Sequence, residues 1–264
     1  MPMLPAAESP ILLAFVASFL AGGATAIGAL AAYFIRRLSR LLEDSLLSLA
    51  AGIMLAASIF SLILPGIDYA TQQLGSELQA VAVVASGILL GALLLWRLHH
   101  LVPHEHLHLG REGPEAIRIK RIWLFVFAIT LHNLPEGMAV GVGMMQQDSA
   151  AGVALALGIG LQNIPEGLAV AVALLTVGYR HGTAIAVGAA SGLVEPLGGL
   201  FGALAVWLAA PLLPLMLGLA GGAMLYIISD EIIPETHRRD AHSHVTFSLM
   251  GGFVVMMLLD VLLG

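Results

Sequence analysis

Cysteine is absent from these 264 residues, which excludes disulfides and thiolate metal ligands. Charge is scarce too: 11% of the residues are charged against 59% hydrophobic, and no polar stretch is long enough to hold a soluble domain of ordinary size. There is no Gly-rich phosphate-cradling loop, nucleotide-binding module or nucleic-acid-binding feature. Neither nucleotide nor nucleic acid is therefore expected as a partner, and the chain is not expected to run on ATP hydrolysis. Ahead of the first apolar run stand Met1-Pro2-Met3-Leu4-Pro5 and Glu8, with no basic residue. That run reads as a retained span, not a cleaved signal.

Long apolar runs are what the chain has. Eight of them lie near residues 10–34, 45–64, 79–98, 122–145, 150–175, 182–207, 212–233 and 244–262. Each is about the 20 residues that a ~30 Å hydrocarbon core requires. The expectation is an all-α integral membrane protein, one transmembrane domain over residues 1–264, with the lipid bilayer as a partner. All eleven Lys and Arg fall in alternate connections: Arg36, Arg37 and Arg40; Arg97, Arg111, Arg118, Lys120 and Arg121; Arg180; Arg238 and Arg239. The positive-inside rule puts those connections in the cytoplasm and both termini outside the cytoplasmic membrane. The connection at about 99–121 carries His99, His100, His104, His106 and His108, half of the ten histidines. Alternating histidines are a compositional signal for metal binding, set against an ordinary polar loop.

The polar exceptions inside the spans carry the chemistry. Leu131-His132-Asn133-Leu134-Pro135-Glu136-Gly137 is echoed thirty residues on by Leu161-Gln162-Asn163-Ile164-Pro165-Glu166-Gly167. In a helix, His132 and Glu136 share a face at i, i+4, as do Gln162 and Glu166, with Asn133 and Asn163 beside them. Pro135 and Pro165 each remove a backbone donor, which frees the carbonyls of Leu131 and Leu161 and predicts broken helices lining a cavity. Glu195, in Val194-Glu195-Pro196, stands near the middle of the sixth span, and Met54 is central in the second. Span seven ends in Asp230, Glu231, Glu235 and His237, which reads either as a solvated helix end or as a staging point for ions leaving the site.

Ionisable residues at membrane depth mark function. No Lys or Arg stands at membrane depth to balance Glu136, Glu166 and Glu195, so protons or a bound cation must do so. Imidazole, carboxylates and amides are ligands for a borderline divalent metal, and a carrier is the consistent reading. An intramembrane metal-dependent hydrolase is the alternative. It would want an activated water and a second histidine, and His132 is the only histidine at that depth. A passive channel is disfavoured because such a cage would hold a transition metal too firmly.

These motifs resemble those of the ZIP (Zrt/Irt-like protein) family of divalent-metal transporters, bacterial members especially, over nearly the whole chain. The resemblance implies uptake of zinc, or of cadmium, iron or manganese, as transported substrate with no catalytic cofactor and no enzymatic activity. It implies a binuclear metal centre: His132, Glu136, Gln162 and Glu166 with Met54 nearby, then Asn133, Asn163 and Glu195, with Glu136 and Glu166 bridging. Gln162 stands where many members have His and Asn163 where some have Asp, so this cage has weaker donors or less charge. The family's 3+2+3 inverted repeat implies that spans four and five, carrying the metal site, are enclosed by the outer triplets. The mechanism expected is alternating access, with spans four and five moving against the rest. Asp68 and Asp260 would line the entrance; His99, Asp230, Glu231, Glu235 and His237 would lie on the exit side. A homodimer is the candidate assembly.

Overall fold

The computed structural model describes residues 10–35, 38–101, 114–146, 149–236 and 242–263, and every regular element among the described residues is helical. Eight helices are long and apolar enough to cross a membrane, as the sequence leads one to expect. They are α1 (Pro10–Ala31), α2 (Arg40–Leu74), α3 (Glu77–Leu101), α4 (Pro114–Gly143), α5 (Ser149–Thr176), α6 (His181–Leu208), α7 (Ala210–Ile232) and α8 (His242–Leu263). Eight crossings return the chain to the face it started from, called the terminal face below. The largest departure from expectation is α2, which runs 40–74, not 45–64. Ser39 explains its early start: extended at φ −66°, ψ 147°, it accepts the Leu42 amide at 3.2 Å as a helix cap. Gly75, left-handed at φ 67°, ends it by donating to the Thr71 carbonyl. The histidine-bearing connection narrows, because α3 reaches Leu101 and α4 begins at Pro114; His104, His106 and His108 lie outside the described residues.

Small residues face inward and large ones outward, the reverse of a soluble helix. On α1 the buried residues are Ala14, Ser18, Ala21, Gly22, Thr25, Gly28 and Ala29, while Leu12, Phe19, Leu20, Ile27 and Leu30 are exposed. Lipid tails are as apolar as leucine, so burial of leucine gains little here and close backbone contact holds the helices together. The contacts come as reciprocal pairs. A Cβ on Gly28 would strike the Ile164 carbonyl and one on Gly167 the Thr25 carbonyl, which locks α1 to α5. In the same manner Gly198 meets the Leu134 carbonyl and Gly137 the Glu195 carbonyl, which locks α6 to α4. The α2–α8 pair (Gly52, Gly252) and the α3–α7 pair (Gly91, Gly222) close likewise.

Two bodies result. Helices α1, α4, α5 and α6 pack together, as do α2, α3, α7 and α8. They meet where α2 and α8 lie on α5 and α7 lies on α4. The apolar cluster across this seam includes Met54, Met138, Leu155, Ile159, Met224 and Met256.

The helix interruptions are not where the motif prolines suggest. Both α4 and α5 continue through Pro135 and Pro165, which are buried, so the expected breaks there are corrected. A proline deletes one hydrogen bond, and firm packing on both neighbours keeps the helix going around it. Instead α2 widens into a π-helical turn at Ser58–Ile63 just before Leu64-Pro65, and α7 does so at Ile228–Ile232 just before Ile233-Pro234. In α6 the helix tightens to a 3₁₀ turn at Gly192–Val194, ahead of Glu195-Pro196.

Candidate metal centre

The α6 interruption sets up the site. Pro196 has no amide to give the Gly192 carbonyl, so the turn tightens and the Glu195 amide bonds it instead. The Ser191 carbonyl, which a regular helix would pair with that same amide, caps the start of the tightened turn. Asn133 Nδ2 of α4 donates to it at 2.7 Å. Asn163 of α5 does the matching work on the other side: its Nδ2 donates to Glu195 Oε1 at 2.7 Å and to the Ala21 carbonyl of α1 at 2.8 Å. Gln162 Nε2 donates to Glu136 Oε1 at 2.6 Å and joins α5 to α4. His132 Nε2 lies 2.6 Å from Glu231 Oε2 on α7, the other body.

Helices from three parts of the chain thus bring His132, Asn133, Glu136, Gln162, Asn163, Glu166 and Glu195 together, all of them buried. The charges of Glu136 and Glu195 interact with that of Glu166, and Glu166 with His132. Every amide NH2 is spent on a hydrogen bond. What remains without a hydrogen-bond partner is a set of acceptors: Asn133 Oδ1, Glu136 Oε2, Gln162 Oε1, Asn163 Oδ1, Glu166 Oε2 and Glu195 Oε2, with His132 Nδ1. An orphaned buried polar group costs about 1–3 kcal/mol, more if charged. Six oxygens without a donor are therefore an arrangement that a cation can satisfy. Among the described residues, no three His, Asp or Glu side chains already converge on one point. The amide oxygens of Asn133, Gln162 and Asn163 would have to contribute, and the carboxylates to swing off their amide donors.

Met54 is fully buried on α2, in the apolar cluster that also takes in Ala21, Met138 and Ala169, residues next to the site on three other helices. At the terminal face, half-buried Asp260 accepts a hydrogen bond from Ser61 at 2.7 Å, and Asp68, two turns beyond Ser61, is exposed. On the opposite side Asp230 is exposed, whereas Glu231 reaches inward to His132. His237 and the side chains of His99 and Glu235 lie outside the described residues. The sequence does not disclose the hydrogen bonds to the Ser191 and Ala21 carbonyls or the pairing of Glu231 with His132. Pro196 is the one signal that bears on the first, since it marks where the helix changes pitch.

Comparison with known proteins finds relatives along nearly the whole chain. Residues 98–260 match the family model described as ZIP zinc transporter. The chain is 51% identical to zinc transporter ZIPB of Bordetella bronchiseptica over 91% of its length and 78% of that protein's. It is 45% identical to zinc transporter GufA of Myxococcus xanthus, covering 94% of this chain and 98% of the relative. It is 34% identical to the human zinc transporter ZIP11, covering 97% and 99%.

Proposed function

The chain belongs to the ZIP zinc transporter family, and we propose that it carries divalent transition-metal cations, zinc foremost, across the membrane into the cytoplasm. The observation that carries this reading is the cage of six buried acceptor oxygens and one imidazole nitrogen with no donor facing them. Mixed nitrogen and oxygen donors without thiolate favour a borderline ion: Mg²⁺ prefers all-oxygen sites and Cu(I) prefers sulfur. Cd²⁺, Fe²⁺ and Mn²⁺ fall within the same range.

In this proposal His132, Glu136, Gln162 and Glu166, with Met54 adjacent, hold one ion. Asn133, Asn163 and Glu195 hold a second, and Glu136 and Glu166 bridge the pair. Metal arrival displaces the Gln162 and Asn163 amide hydrogens from Glu136 and Glu195, turning each amide so that its oxygen faces the ion. The hydrolase alternative finds no support in the family comparison.

The moving unit would be the whole body α1, α4, α5 and α6, not α4 and α5 alone, because the reciprocal glycine contacts tie each of these two to an outer helix. Those contacts also favour an inverted 3+2+3 repeat. Gly28 and Gly198, and Gly52 and Gly222, stand in equivalent pairings 170 positions apart. The π-turns before Pro65 and Pro234 follow nearly the same offset. Placement of every Lys and Arg on the side opposite the termini supports extracytoplasmic termini, with Asp68 and Asp260 at the entrance and Glu231 on the way out.

The test is uptake of Zn²⁺, Cd²⁺, Fe²⁺ and Mn²⁺ into liposomes holding the purified protein. Saturable zinc uptake that disappears in Glu136→Ala is expected. Folded protein that moves none of these ions would refute the proposal.

A further inference from the structure

Helix α4 is attached to the opposite body at two points, and both attachments use a π-helical turn. His132 reaches Glu231 in the π-turn of α7. Fourteen residues on, roughly 20 Å along a helix, Gln146 Nε2 donates to the Ser61 carbonyl in the π-turn of α2, at 3.2 Å. The second contact has a local cause. In a regular helix the Ser61 carbonyl would accept from residue 65, and Pro65 has no amide to offer. Gln146, in the turn that follows α4, supplies a donor instead. A tight turn after α4 holds it there, with the Met144 amide on the Val140 carbonyl and the Gln146 amide on the Gly143 carbonyl, and Gln146 is buried. The Ser61 hydroxyl then donates to Asp260 Oδ1 of α8 at 2.7 Å. One residue of α2 thus joins α4 and α8 on the terminal side of Met54 and the cage.

We propose that Gln146, Ser61 and Asp260 form a catch that shuts the cage off from the terminal face, and that its release is the step that admits an ion from that side. This rests on the transport reading above. Gln146 belongs to the body that carries the cage and Ser61 to the other, so relative motion of the two breaks their hydrogen bond. None of the three residues touches the ion in this scheme; they are positioning residues.

The absence of cysteine makes the test clean. Ala139→Cys places a thiol on α4, one turn past Glu136 toward the terminal face and fully buried. Its reaction with a membrane-impermeant maleimide added at that face reports opening there. Gln146→Leu and Asp260→Ala, each in this background, are expected to raise the labelling rate roughly fivefold, the population change that loss of one ordinary hydrogen bond brings. In Gln146→Leu the zinc-induced rise in melting temperature should stay as in the parent, because the cage is untouched. Unchanged labelling in folded variants overturns the proposal, and so does labelling that rises equally from both faces. Should Gln146→Leu not fold, Gln146→Cys and Ser61→Cys joined by a reversible mercuric bridge decide instead. Uptake that stops on bridging and returns on release supports the catch; uptake that continues with the bridge closed overturns it. Labelling needs no zinc, so a wild-type chain that moves no zinc would refute the transport reading while the catch is judged on its own.

Discussion

Gln162 Nε2 donates to Glu136 Oε1 across 2.6 Å, so the two Pro-Glu-Gly helices are linked at the carboxylate of one and the amide of the other. The link leaves both remaining oxygens, Gln162 Oε1 and Glu136 Oε2, without a hydrogen-bond partner. A structural hydrogen bond and a ligand site are thereby built from the same four atoms.

Removing Glu136 should therefore be the most damaging single change. Glu136→Ala is expected to lower zinc affinity by more than the 10–100-fold that loss of an outer-shell partner typically costs. Radiolabelled zinc uptake and equilibrium binding check it; retention of wild-type binding would remove Glu136 from the ligand set.

Gln162→Ala keeps the carboxylate and deletes its amide donor. The metal-free protein should lose about 1–3 kcal/mol of stability, the cost of an unpaired buried group. Saturating zinc should recover part of that loss, because the ion takes the place of the donor. Thermal melting with and without zinc reads both numbers.

Zinc itself should stabilise the wild-type fold. A ligand at a hundred times its Kd adds about 2.7 kcal/mol, and chelation should reverse the gain. In Glu136→Ala and Glu166→Ala the shift should shrink together. A shift that survived in both would place the bound ion elsewhere.

Gly137→Ala and Gly167→Ala would drive a methyl group into the backbone carbonyls of Glu195 and Thr25. Backbone cannot yield as a flexible side chain does, so each should cost about 1–3 kcal/mol and impair uptake. Gly182→Ala is the control: a Cβ there meets nothing within 4 Å. It should stay within about 0.5 kcal/mol of the parent.

Glu231→Gln removes the charge that His132 faces at 2.6 Å. Uptake should lose Vmax more than apparent affinity if, as proposed, Glu231 lies beside the cage on the way out. Initial rates over a range of zinc concentrations separate the two. A pure rise in KM would assign Glu231 to ion capture.

How far the sequence reaches is clear from particular residues. The eight spans, and the shared depth of His132, Glu136, Gln162, Glu166 and Glu195, follow from run length and helical spacing, both of which are local. The Glu231–His132 and Gln146–Ser61 contacts join helices about 100 and 85 positions apart, and no periodicity encodes which helix faces which. The prolines mislead in an instructive way. Pro135 and Pro165 pass through continuous helix, whereas Pro65, Pro196 and Pro234 each follow a change of helical pitch. A missing amide becomes a break only when the surrounding helices offer the freed carbonyl another donor or the turn another pitch.

The reciprocal glycine contacts leave no slack within either four-helix body, so each resists compression and shear along its internal joints. In the proposed transport cycle the sliding surface would be the seam between them, where Met54, Met138, Met224 and Met256 stand in one cluster. Methionine is unbranched, and its polarisable sulfur holds dispersion contacts through many rotamers. Such a surface keeps its cohesion while sliding, as a lubricated bearing does, whereas interlocked β-branched side chains would have to separate before they could pass.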